Sequence, residues 1–156
     1  MLNSRKIEDL DPEAQDVCRA HLRICRERGI ELIVTSTYRD WESQDALYAI
    51  GRTIEPQRRS VTNAKAGRSW HNYKCAWDVV PVMYGKPVWD ERDPLWGEVV
   101  RAGKEAGAEA GADWPLFKDL PHFQVRPKRA DKSIDLAEAQ ARWADKGTIF
   151  TAIEEA

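Results

Sequence analysis

Cysteine is scarce and unpaired in this chain: Cys18, Cys25 and Cys75 form an odd set without a CxxC motif. That excludes a disulfide framework or a zinc ribbon as the basis of the fold. All three read as buried thiols, with Cys18 and Cys25 seven positions apart on a predicted helix. No apolar run approaches the ~18 residues of a membrane-spanning helix, so no membrane insertion is expected. The opening "MLNSRKIEDLDPEAQ" lacks the apolar segment of a signal peptide. Charge of one sign is also lacking. Lys and Arg number 24 against 26 Asp and Glu, a net charge of −2. Nothing there draws the protein to nucleic acid or anionic lipid, and the basic stretches "EPQRRS" and "RPKRAD" read as solvated loops. No internal repeat or low-complexity tract is present. Histidine is limited to His21, His71 and His122.

What is present fits one domain with a single core. "DLDPEAQDVCRAHLRICRERGI" reads as a first helix, with Asp11 as N-cap, Pro12 at the first position and Gly29 at the end. Its stripe takes in His21, which is read as a core or boundary residue. "IELIVTSTY" is β-branched and apolar and reads as a buried strand. It runs into a helix capped by Asp40 and ended by Gly51. After a polar loop, "CAWDVVPVMY" alternates like a strand and turns through "GKPVWD" into a hairpin. "DPLWGEVVRAGKEAGAEAG" is a further helix, with a stripe of Leu95, Val99, Ala102 and Ala106. A brief strand is expected at His122–Val125, then a last helix capped by Ser133. This order predicts an α+β fold with a small, mostly antiparallel sheet flanked by helices. Seven tryptophans suit either core packing or a ligand groove.

The chemistry concentrates around "SWHNYKCAWDVV". His71 and His122 fall in loop-to-strand segments, and Asp78 sits inside an apolar strand, where an unpaired carboxylate is costly. A zinc ion shared by the three resolves that cost, since catalytic zinc takes three protein ligands and keeps a fourth position open. A buried Asp78 paired with an arginine or with backbone amides resolves it equally well. On these residues alone both readings stand. Cys75 is three positions from Asp78, on the opposite side of an extended strand, and is read as packing. Asp119, three residues before His122 in "KDLPHF", is placed to serve as a general base, or simply forms a turn before proline. Arg39 follows a strand, where it can offer fixed positive charge to an oxyanion or a substrate carboxylate.

These segments resemble a known family. "SWHNYKCAWD" is similar to the SxHxxGxAxD signature of the VanY-like zinc peptidases, which include D-Ala-D-Ala carboxypeptidases and L-alanyl-D-glutamate endopeptidases, with Ser69, His71, Ala76 and Asp78 in register. "DLPHF" resembles the second signature. "STYRDWESQDALYAIGRT" and "VTNAKAGRS" resemble the upstream segments of the endopeptidase and phage-endolysin branch. The likeness spans about residues 30–126. It implies one zinc ion per chain held by His71, Asp78 and His122, and Asp119 as catalytic base and proton donor. It also implies Arg39 at the polarised carbonyl, and Gln44 and Ser69 near the substrate. The implied fold is of the Hedgehog/D-Ala-D-Ala peptidase kind.

The expected activity is hydrolysis of the L-alanyl-D-glutamate bond of peptidoglycan stem peptides. The alternatives are a D,D-carboxypeptidase and a non-catalytic zinc-stabilised wall-binding module. The chain is expected to be a monomeric catalytic domain over 1–156, its core about 11–147, without a separate wall-binding domain. Lacking an export signal, it is expected to be made in the host cytoplasm and to reach the wall through a separate holin-type protein. One position departs from the signature: Lys74 stands where glycine is usual, which is expected to strain the turn or alter the cleft rim.

Overall fold

The computed structural model describes residues 1–153. Helix α1 (Pro12–Glu27) opens as the sequence predicts, with Pro12 in its first turn. Asp11 occupies the N-cap position, but its carboxylate accepts the Thr148 hydroxyl at 2.7 Å instead of capping the helix. Strand β1 (Glu31–Ser36) leads to α2 (Trp41–Ala49), where the Asp40 side chain accepts the Ser43 N–H. The long loop ends in a 3-10 turn at Trp70–Tyr73, followed by β2 (Ala76–Met83) and its hairpin partner β3 (Lys86–Pro87). Then come α3 (Leu95–Glu105), β4 (Glu109–Ala110), β5 (His122–Gln124), the hairpin β6 (Lys128–Arg129) and β7 (Lys132–Ser133), and α4 (Leu136–Lys146).

The main sheet runs β1-β2-β5-β4, with β3 also on β2, and every strand pair is antiparallel. The α+β expectation therefore holds. Two local expectations change. Strand β1 is an edge strand, pairing only with β2, so it is half-exposed rather than buried; Ile33 is 41% exposed. The last helix is capped by Asp135, whose carboxylate accepts the Glu138 N–H, because Ser133 is taken up in the β6–β7 hairpin.

Period-two alternation divides the sheet. Trp77, Val79 and Phe123 join Cys18, Cys25, Val99 and Ala102 in the core beneath α1 and α3. His21 is fully buried there, as its helical stripe predicts. Gly103 on α3 lets this layer close, since a Cβ there would run into the Phe123 ring. Asp78, His122 and Gln124 belong to the opposite face of the sheet. A second cluster, made of Tyr73, Cys75, Ile134, Ala139 and Ile149, seats α4. Cys75, just before β2, is thus a packing residue, as expected. Among the described residues, no helix is long and apolar enough to cross a membrane.

Candidate metal centre

Each of the three central side chains reaches the site by a different route. Asp78 and His122 are direct cross-strand partners on β2 and β5. His71 arrives on the 3-10 turn, which a reciprocal capping box secures: Ser69 Oγ accepts the His71 N–H, and the Asn72 side chain accepts the Ser69 N–H. The same turn is tied to the Arg39 segment. Arg39 N–H donates to the His71 carbonyl at 3.0 Å, and Asn72 Nδ2 donates to the Arg39 carbonyl at 2.9 Å.

One donor atom from each of His71, Asp78 and His122 falls within 4.8 Å of the others. His71 Nε2 lies 3.1 Å and His122 Nδ1 3.3 Å from the same Asp78 oxygen, Oδ1. The remaining ring nitrogens fix the tautomers. His71 Nδ1 is 2.8 Å from the Thr37 carbonyl, which can only accept, so Nδ1 carries the proton. His122 Nε2 is 2.7 Å from Gln124 Oε1 and donates to it. In the neutral rings, both remaining lone pairs face the carboxylate. Three electron-pair donors aimed at one point fit a divalent cation, and this donor set is the kind that zinc takes.

The electrostatics agree. Burial alone would raise the Asp78 carboxyl, but the two imidazoles overcome it and hold the group far below the usual carboxylate range. Burial would lower His122, yet Asp78 and Gln124 raise it above the ordinary histidine value. Positive charge between the rings and Asp78 is thus favoured.

The cleft over these residues has a volume of about 360 Å³ and is lined by Arg39, Ser69, Trp70, Trp114 and Asp119 together with the three donors. That volume suits an extended segment of a small ligand. Asp119 is half-buried, and its carboxyl is raised by burial and then by Asp78, with the histidines opposing. Arg39 donates to Gln44 Oε1 at 3.0 Å and Ser36 Oγ at 3.3 Å. Its buried Nε has no hydrogen-bond partner. Gln44 is fully buried, and its Nε2 donates to the Ala64 carbonyl at 2.7 Å. Its side chain is therefore spent on Arg39 and the loop behind it.

Lys74 has φ +57°, the left-handed conformation that glycine adopts freely. Its ammonium lies over the rings of Tyr38 and Trp143, at 5.0 and 5.9 Å from their centroids. The strained turn is realised, whereas the cleft lining does not include this residue.

Several site residues carry weak sequence signals. The Trp114 ring centroid is 4.8 Å from that of His122; in the sequence it is one of seven tryptophans with nothing to set it apart. Gly111 follows β4, and a Cβ there would collide with the Asp119 carbonyl and come within 3.1 Å of His122 Cβ. Arg126, read as part of a solvated loop, instead donates to Glu109 at 2.7 and 2.6 Å.

A family model described as D-alanyl-D-alanine carboxypeptidase matches residues 62–125. The peptidoglycan L-alanyl-D-glutamate endopeptidase CwlK of Bacillus subtilis (strain 168) is 36% identical over 127 residues, which cover 76% of this chain and 75% of CwlK. Three solved structures are similar in fold. The Serratia marcescens L-Ala D-Glu endopeptidase ChiX has a TM-score of 0.55 at 22% identity, covering 76% of this chain and 82% of its own. The LD-carboxypeptidase LdcB has 0.60 at 16%, over 94% and 70% of the two chains. A mutant of the vancomycin-resistance D,D-pentapeptidase VanY in complex with Zn(II) has 0.58 at 14%, over 90% and 81%.

Proposed function

The chain belongs to the D-alanyl-D-alanine carboxypeptidase family of metallopeptidases, and from that premise we propose that it is a zinc-dependent peptidoglycan peptidase cutting the L-alanyl-D-glutamate bond of stem peptides. The observation that carries this reading is the convergence of His71 Nε2, His122 Nδ1 and Asp78 on one point in an open cleft that also contains Asp119. The choice of bond is supported by the likeness to CwlK.

His71, Asp78 and His122 would hold the ion. When bound, zinc supplies Lewis acidity, making a water molecule in the cleft more acidic and polarising the scissile carbonyl. Asp119 takes the proton from the attacking water and passes it to the leaving amine. Its half-buried position favours that exchange, because burial weakens the ionised form. Arg39, held by Gln44 and Ser36, directs fixed positive charge toward the carbonyl oxygen as negative charge develops there. Gln44 acts by positioning Arg39. Ser69, on the cleft wall, meets substrate and also caps the turn that carries His71.

A phage-lysin context is part of this proposal. It is supported by the resemblance of residues 47–53 and 61–64 to that branch, and fractionation of producing cells tests it.

The mechanism is tested by stem-peptide release with wild type and Asp119→Ala. The variant is expected to retain zinc and to lose about 10²–10⁴-fold in rate. Equal rates in the two proteins would sink the assignment.

A further inference from the structure

His122 is gripped from behind. Residues 122 and 124 share one side of β5, so Gln124 stands beside the histidine ring. Gln124 is 2% exposed. Directly opposite it on β4 is Glu109. Gln124 Nε2 donates to Glu109 Oε2 at 3.1 Å, and Gln124 Oε1 accepts from His122 Nε2 at 2.7 Å. Glu109 in turn takes two hydrogen bonds from Arg126. Arg126 also donates to the Ile134 carbonyl at 2.9 Å and stacks its guanidinium 5.0 Å from the Trp70 ring centroid.

The chemistry of this chain of contacts has one consistent solution. Arginine only donates and a carboxylate only accepts, so Glu109 must receive the amide nitrogen of Gln124. The amide oxygen is then turned toward His122, and it too only accepts. His122 must therefore carry its proton on Nε2, leaving the Nδ1 lone pair toward Asp78. We propose that Gln124, oriented by Glu109 and Arg126, is the positioning residue that fixes the tautomer and ring angle of His122 and so sets the site's affinity for a divalent cation.

This inference rests on the metal reading above. His71 obtains the same service from the backbone carbonyl of Thr37, which no side-chain substitution can remove. The relay to His122 is made of side chains and can be dismantled. Neither Gln124 nor Glu109 lines the cleft, so these two reach the site through the histidine. Partners of this kind typically control metal affinity by 10–100-fold.

The test uses Gln124→Met, which removes the acceptor at similar size, and the shape-preserving Glu109→Gln, which leaves the Gln124 amide free to turn. Zinc affinity is measured by competition with a chelator, and the His122 tautomer by nitrogen-15 NMR on the metal-free protein at alkaline pH. Gln124→Met is expected to bind zinc about 10–100-fold more weakly, and Glu109→Gln to show a smaller loss. Both variants should shift His122 from the Nε2–H form toward a mixture. A relay that only braced the sheet edge would lower the melting temperature and leave affinity and tautomer as in wild type, and that result overturns the proposal. If wild type itself takes up no zinc, the metal reading fails, and the tautomer measurement alone decides the relay.

Discussion

Asp78 and His122 stand directly opposite each other across β2 and β5, and this register brings His122 Nδ1 to 3.3 Å from Asp78 Oδ1. The core on the far side of the sheet enforces that register. Trp77 and Phe123, the neighbours of the two donors, are themselves cross-strand partners and fully buried beneath α1 and α3. A one-residue slip of β5 against β2 would turn Phe123 out of the core and His122 into it. The packing that stabilises the sheet therefore also aligns the candidate centre.

Removing one donor is expected to empty the site. His122→Ala should lose most bound zinc while keeping a cooperative melt, because the aromatic core does not depend on the imidazole. Zinc stoichiometry by atomic absorption checks this, and full occupancy in the variant would refute the ligand assignment.

Gly111 is expected to matter although it carries no functional group. Gly111→Ala forces the Asp119 carbonyl and the His122 Cβ to move, an overpacking cost of about 1–3 kcal/mol. Peptidase activity should fall further than the melting temperature suggests, since the displaced atoms belong to the site. Activity within twofold of wild type would contradict the close approach.

Lys74 offers a comparison of two variants. Lys74→Ala loses the contacts over Tyr38 and Trp143 and keeps the left-handed strain, whereas Lys74→Gly loses the contacts and relieves the strain. The glycine variant is expected to be more stable than the alanine variant by about 1 kcal/mol, the usual cost of this conformation for a residue with a Cβ offset in part by backbone entropy. Denaturant midpoints measure the difference, and a less stable glycine variant would count against the φ of +57°.

His21 makes stability depend on pH. Trp77 Nε1 donates to His21 Nδ1, and the other ring nitrogen donates to the Val99 carbonyl, so the ring must be neutral. Burial pushes it from the ordinary value of 6.5 to about 4, with the Val99 bond opposing. The folded value lies below the unfolded one, so the unfolded chain binds more protons between them. The contribution is complete above about pH 6.5 and is lost as pH falls toward 4, about 3 kcal/mol in all. Urea midpoints at neutral and mildly acidic pH should show the slope, and His21→Gln should flatten it.

The sequence was most legible where pattern and chemistry coincide. Alternation in "CAWDVV" separated Asp78 from Cys75, and the helical stripe placed His21 in the core. The donors and Asp119 were reachable because few residue types can do such chemistry. Less legible were contacts set by the tertiary arrangement. Nothing local marks Gly111 as the point where the Asp119 loop touches β4. Arg126 looked solvated because its partner, Glu109, is seventeen residues away on another strand. Ser133 looked like a helix cap until the β6–β7 hairpin claimed it and left Asp135 to do the work.

In the proposed reaction this cleft performs metal-dependent hydrolysis of a stem-peptide bond. Its most direct test is digestion of purified muropeptides with and without a chelator, followed by mass assignment of the new termini. New L-alanine carboxyl and D-glutamate amino termini are expected, abolished by chelation and restored by zinc. Unchanged muropeptides, or the same products in the presence of chelator, would contradict it.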